Sequence, residues 1–153
     1  SLFTEVQFRG IPFTIHAGEA AGADSIRAAL SFGAWRIGHG VRCVEDHALV
    51  RILAAEGVTL ELCPTSNLQT KAVTRISEFP VRDLLKAGVP ATINTDNMTV
   101  SGTDIKREFH LLKTKLGLTV EEEERLLINA VSAAFLPEDQ KQALLHEMIQ
   151  NHY

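Results

Sequence analysis

Residues 11–40 read IPFTIHAGEAAGADSIRAALSFGAWRIGHG and hold a strand, a helix and a second strand in that order. Phe13 to His16 and Arg36 to His39 are short β-rich runs, each closing on a histidine. Between them Ala23 to Phe32 is long enough for an amphipathic helix. Gly33 follows it and supplies the residue free to take φ > 0 that stops a helix.

The same unit recurs downstream. Thr59 to Cys63 and Ala91 to Thr95 are two further strands that end in polar residues, and Glu45 to Glu56 and Val81 to Ala87 are the helices that precede them. In the first of these helices Leu49, Ile52 and Leu53 fall at i, i+3 and i+4, a buried stripe. Gly57, Gly88 and Gly117 repeat the punctuation, the last after a helix from Asp104 to Leu116. Short strands alternating with amphipathic helices are the sequence form of βα units around a parallel sheet.

Outside the repeat, Leu2 to Phe8 reads as the tail of a helix entering the Gly10 turn. Thr119 with Glu122 has the spacing of a capping box, and Pro137 stands near the start of another helix. The last two helices, Val120 to Phe135 and Pro137 to Asn151, read as a terminal cap. No linker or low-complexity segment divides the chain, so residues 1–153 are expected to be one piece of one domain. Four βα units cannot close a barrel of eight strands. The expected fold is α/β, the carboxy-terminal half, strands five to eight and the terminal helices, of a (β/α)8 barrel.

With 153 residues, 45% of them apolar, the chain can bury one sizeable core. A formal charge of −4 gives no field that would draw a phosphate backbone, which argues against a nucleic-acid partner. No run of about 18 apolar residues is present to span a bilayer, and the expected setting is cytoplasmic. Cys43 and Cys63 are too far apart for a CxxC pair and are expected to be reduced thiols, one of them in a core.

Parallel βα sheets place their chemistry at the carboxyl ends of the strands. The residues there are His16-Ala17-Gly18-Glu19, His39 between Gly38 and Gly40, Pro64-Thr65-Ser66-Asn67, and Asn94-Thr95-Asp96-Asn97. Imidazole and carboxylate are the usual nitrogen and oxygen ligands of zinc, so His16 and Asp96 could share one metal ion. Glu19, three residues past His16, could serve the same pocket as a general acid. The plainer alternative is that each histidine is a hydrogen-bonded structural residue and that Asp96 caps a helix. On the residues alone both readings stand. His47, His110, His146 and His152 carry no partner pattern and are assigned to surface or packing. Glu121 to Glu124 read as a solvated first helical turn, and Trp35 as core or barrel-bottom packing.

Four ordered segments, Thr14 to Glu19, Arg36 to Gly40, Leu62 to Asn67 and Ile93 to Asp96, resemble those of the adenosine deaminase family, as does the tail Ile128-Asn129-Ala130 with Ala134-Phe135-Leu136. The resemblance covers nearly the whole chain. It implies zinc-dependent hydrolytic deamination of adenosine or 2'-deoxyadenosine to inosine and ammonia, with a purine nucleoside as the small-molecule substrate. By that likeness His16 and Asp96 are zinc ligands, and Asp96 also holds the attacking water. Glu19 donates a proton to the purine ring nitrogen beside the reacting carbon, and His39 orients and electrostatically supports the water.

The chain departs from the family pattern twice. Asn97 stands where the family has a second Asp that contacts the imidazole edge of the purine; an amide keeps one hydrogen bond there but no ionised form. The family's His-x-His pair, which gives two further zinc ligands, is absent from these residues. The chain by itself is therefore expected to be inactive and to need the amino-terminal half of the same barrel, or self-association over its open sheet edges. Two alternatives go with this reading: an adenine or N6-substituted adenine nucleotide deaminase, and a non-catalytic half-barrel that binds without turnover.

Overall fold

Each strand alternates an apolar with a polar residue, and the structure sorts the two sets onto opposite faces of one sheet. In the computed structural model, which describes residues 2–150, β1 (Thr14–Ala17), β2 (Arg36–His39), β3 (Thr59–Leu62) and β4 (Ala91–Ile93) form a four-stranded parallel sheet in that order. Ile15 pairs with Ile37, Ile37 with Leu60, and Leu60 with Ala91. Strands that follow sequence order without reversing make one arc of a barrel, where a doubly wound sheet would turn back at a switch point.

Helices cover the apolar face: α2 (Ala23–Ser31), α3 (His47–Glu56), α5 (Val81–Lys86) and α7 (Ile105–Leu116). Ile26, Leu49, Leu53, Leu84 and Leu112 lie fully buried in one core with Ile37, Leu60 and Leu62. Each such side chain contributes roughly 1.5–3 kcal/mol of burial, which is what holds helix to sheet. The other face is polar. Thr14 Oγ1 donates to Glu61 Oε2 at 2.8 Å across β2, and Arg36 Nε lies 3.0 Å from Glu61 Oε1. That last contact is an ion pair and not a hydrogen bond, and the buried Nε has no acceptor in line. The Arg36 guanidinium stacks on Phe135 at 3.7 Å and donates to the Ala133 carbonyl.

The expected strands are present, offset by one residue at β1 and shorter at the ends of β3 and β4. The second expected helix begins at His47 and not at Glu45, because Val41–Glu45 winds as a 3-10 turn and the Asp46 carboxylate caps the amides of Ala48 and Leu49. Two short helices, α4 (Pro64–Gln69) and α6 (Met98–Ser101), were not expected at all. α1 (Leu2–Phe8) lies where expected. α8 (Val120–Ala133) starts on the Thr119–Glu122 capping box and ends at Ala134, whose extended backbone leaves Phe135 outside the helix; α9 is Glu138–Gln150. Asn151 and His152 lie outside the described residues.

Trp35 is at the amino end of the sheet but 59% exposed, so it is bottom-rim surface and not core. The acidic turn of α8 is not merely solvated: Glu122 binds Arg82 and Glu123 pairs with Lys113 at 2.6 Å. His47, His110 and His146 are exposed. Both cysteines are free and buried, where one was expected to be. Among the described residues no helix is long and apolar enough to cross a membrane.

Candidate active site

β1 ends by carrying His16 onto the polar face, and the chain then turns through Gly18 to present Glu19. Gly18 has φ +66°, and a Cβ there would stand 2.4 Å from Ile26 Cδ1 and 3.1 Å from the Gly40 Cα. Only a glycine lets this loop lie against the next one. β2 ends in the same manner: the His16 ring lies over Gly38, where an added Cβ would sit 3.1 Å from the imidazole. His39 then takes φ 64°, which breaks the strand alternation and turns its ring toward His16, with ring centroids 5.0 Å apart. After β4, Asp96 also adopts a left-handed backbone, φ 55°. For non-glycine residues this costs on the order of 1–3 kcal/mol, a strain that the surrounding structure must offset. Lys71 shares the conformation away from the cluster, so positive φ alone does not mark the site.

His16, His39 and Asp96, from three strand ends, bring ligand atoms within 4.8 Å of one another. Ligand distances of about 2.0–2.2 Å around zinc call for donors a few ångströms apart, and imidazole nitrogen with carboxylate oxygen is a suitable donor set. By distance and donor type alone, these residues fit a divalent ion. Glu19 closes the fourth side, its Oε2 3.5 Å from His39 Nε2 and its Oε1 accepting from Thr70 Oγ1 at 3.1 Å.

Burial lowers the pKa of His39 below the ordinary 6.5, and the nearby His16 acts in the same direction while Glu19 and Asp96 oppose it. With only 1% of its surface exposed, His39 is a neutral imidazole at pH 7. Asp96 is exposed, and its Oδ2 accepts from Ser66 Oγ at 2.7 Å, while one carboxylate oxygen lies within 4.8 Å of the His16 and His39 donors. Asn97 uses its amide oxygen to cap α6 through the Val100 N–H, so its NH2 group is what remains for a ligand.

The residues with no role in the sequence reading are those of α4. Thr65 N–H donates to Glu108 Oε2, Ser66 reaches Asp96, the Asn67 amide meets His39 Nδ1 at 3.0 Å, Gln69 donates to the Ser101 carbonyl, and Thr70 reaches Glu19. Ser66 and Asn67 stood in one of the four polar segments, and a hydroxyl and an amide buried after a strand were the available signal. A concavity of about 510 Å³ opens at the opposite, amino-terminal end of the sheet, lined by Trp35, Arg36 and Phe135 among others. It holds no comparable cluster of ligand atoms, and in βα barrels that end serves stability.

The profile of a family described as Adenosine deaminase matches residues 1–151. An adenosine deaminase of Haemophilus ducreyi is 50% identical over 144 residues, which is 94% of this chain and 42% of that protein. Among solved structures, an adenine deaminase from Arthrobacter aurescens superposes with a TM-score of 0.93 at 32% identity, over 97% of this chain and 46% of that one. The Arabidopsis N6-mAMP deaminase gives 0.85 at 29% identity, over 96% and 43%. The chain spans less than half the length of the curated relatives it matches.

Proposed function

Since this chain belongs to the adenosine deaminase family, we propose that it carries the acid, the histidine and part of the metal set for hydrolytic deamination of adenosine or 2'-deoxyadenosine to inosine and ammonia. The observation that supports this best is the meeting of His16, His39 and Asp96 within 4.8 Å beside Glu19. In this reading residues 1–153 are one part of a single barrel domain. The free edges of β1 and β4 are closed by further strands, and those strands also bring the remaining metal ligands.

His16 and Asp96 are the residues that would hold zinc, whose chemistry when bound is to raise the acidity of a water molecule toward neutral pH. Asp96, restrained by Ser66, would also accept a hydrogen bond from the attacking water and aim it at the amine-bearing carbon. His39 orients the water from its other side. Glu19, in its carboxylic acid form, gives a proton to the ring nitrogen adjacent to the carbon under attack, so that electron density moves onto that nitrogen as the carbon–oxygen bond forms. The carbon–nitrogen bond then breaks, and the amine leaves as ammonia after taking up one proton of the attacking water, whose other proton restores Glu19. Asn97 donates its NH2 group to the imidazole edge of the purine.

Conversion of adenosine to inosine, followed by ultraviolet absorbance in the full-length protein with and without a chelator, tests this reading. Chelator-sensitive turnover is expected. Absence of turnover from a folded, zinc-loaded protein would sink it. A second reading has a specific observation behind it, since solved neighbours at 29–32% identity are named for adenine and for N6-mAMP. The same assay with adenine and with N6-methyl-AMP separates the two.

A further inference from the structure

Asn67 is completely buried at the carboxyl end of β3, and the two ends of its amide face different partners. Its Oδ1 accepts the backbone N–H of Cys63 at 3.3 Å, and its Nδ2 lies 3.0 Å from His39 Nδ1. A backbone N–H can only donate, and a buried one left without an acceptor is destabilising. Turning the amide over would set N–H against N–H at Cys63, so the oxygen stays there and the NH2 group points at His39. The Nδ1 that receives it must then be an acceptor. The opposite edge of the ring is compatible with this, because Nε2 faces a carboxyl oxygen, Glu19 Oε2, at 3.5 Å, and such an oxygen can accept.

We infer that Asn67 is a positioning residue that holds His39 in the tautomer with its proton on Nε2 and its lone pair on Nδ1. The contact with Cys63 makes this a consequence of the fold. Both the imidazolium and the Nδ1–H tautomer would bring an N–H against the Asn67 NH2 group.

The assignment decides between two roles that distance alone leaves open. One ring nitrogen of His39 is near enough to the donors of His16 and Asp96 for all three residues to ligate one ion. A neutral imidazole binds metal through an unprotonated nitrogen. Here the nitrogen on the Glu19 side carries the proton, and the unprotonated one is covered by Asn67. His39 is thereby excluded from the metal set and kept as a donor, with its Nε2–H on the Glu19 side of the ring, available to the oxygen of an attacking water. The consequence for turnover rests on the deaminase reading above; the tautomer itself does not.

The test uses the full-length protein with histidine labelled by 15N in the imidazole ring, and long-range 1H–15N correlation to read which nitrogen of His39 bears the proton. The expected wild-type spectrum has a proton-bearing Nε2 and a bare Nδ1. A proton-bearing Nδ1 in the wild-type protein overturns the inference, whatever the enzyme does. Asn67→Asp keeps the size of the side chain and its acceptor for Cys63 but offers His39 a second acceptor in place of the NH2 group. In this variant the proton is expected on Nδ1, and kcat is expected to fall at least about tenfold with KM changed less than about twofold, as for a catalytic histidine held in the wrong tautomer. An unchanged tautomer or an unchanged kcat in a folded Asn67→Asp protein also overturns it. Should the variant not fold, the wild-type spectrum still decides. A protein with no deaminase activity that shows the Nε2–H tautomer would leave this inference standing while the proposed function fell.

Discussion

Ser66 Oγ donates a 2.7 Å hydrogen bond to Asp96 Oδ2, which ties the tip of β4 to the helix that follows β3. The bond restrains the carboxylate, one oxygen of which lies within 4.8 Å of the His16 and His39 donors. In Ser66→Ala the carboxylate is free to rotate, and a hydrogen bond to a charged acceptor worth roughly 1.5–3 kcal/mol is lost. The expected outcome is a zinc affinity weaker by about 10–100-fold, read by competition with a chromogenic chelator. Unchanged affinity would show that Ser66 does not hold Asp96 for the ion.

Glu19→Gln preserves the shape that accepts from Thr70 Oγ1 but cannot release an acidic proton. A loss of about 10²–10⁴ in kcat is expected, with zinc content unaltered by elemental analysis. Loss of the metal together with activity would place Glu19 among the ligands and overturn its role as acid.

The close approach of the first two strand-end loops depends on Gly40, whose φ is +72°. A Cβ there would lie 2.7 Å from Leu60 Cδ2, a fully buried side chain with no room to yield. Gly40→Ala is expected to cost about 2–4 kcal/mol from left-handed backbone strain and overpacking together, measured by urea unfolding. Gly57→Ala is the control: it meets no atom within 4 Å at a similar φ of +66°, and should show only the backbone part of the loss.

Burial pushes the thiols of Cys43 and Cys63 up to about 12. At pH 8 only about one molecule in 10⁴ would carry a thiolate at either position, and the thiolate is the nucleophile. Iodoacetamide should leave the native protein unmodified by intact mass and add twice to it in denaturant. Rapid single labelling of the native protein would mean that one of the two sites opens readily.

Much of the frame was legible because it follows short-range rules. The short β-rich runs Phe13 to His16 and Thr59 to Cys63 announce strands, and Gly33 and Gly57 announce helix ends. His16, His39 and Asp96 were legible as candidates because polar residues after apolar strands sit where such sheets keep their sites. What escaped was whatever depends on partners distant in the chain. Pro64-Thr65-Ser66-Asn67 reads as a loop by local propensity, and it becomes helical because Glu108, more than 40 residues on, takes the Thr65 amide in a buried site. Asn97 read as a ligand contact, yet half of its amide is committed to capping a helix too short to be recognised from its four residues.

α4 makes one further demand on the chain. Five of its residues and its flank, Thr65, Ser66, Asn67, Gln69 and Thr70, each grip a different segment, and three of those grips end on Asp96, His39 and Glu19. A helix advances about 100° per residue. A single codon inserted or removed between Cys63 and Thr70 would therefore rotate the side chains on one side of it relative to those on the other, so that both groups could not keep their partners. The strand interiors can drift by conservative exchange, but this stretch has a fixed length, and indels there should be purged even where substitutions at its individual positions survive.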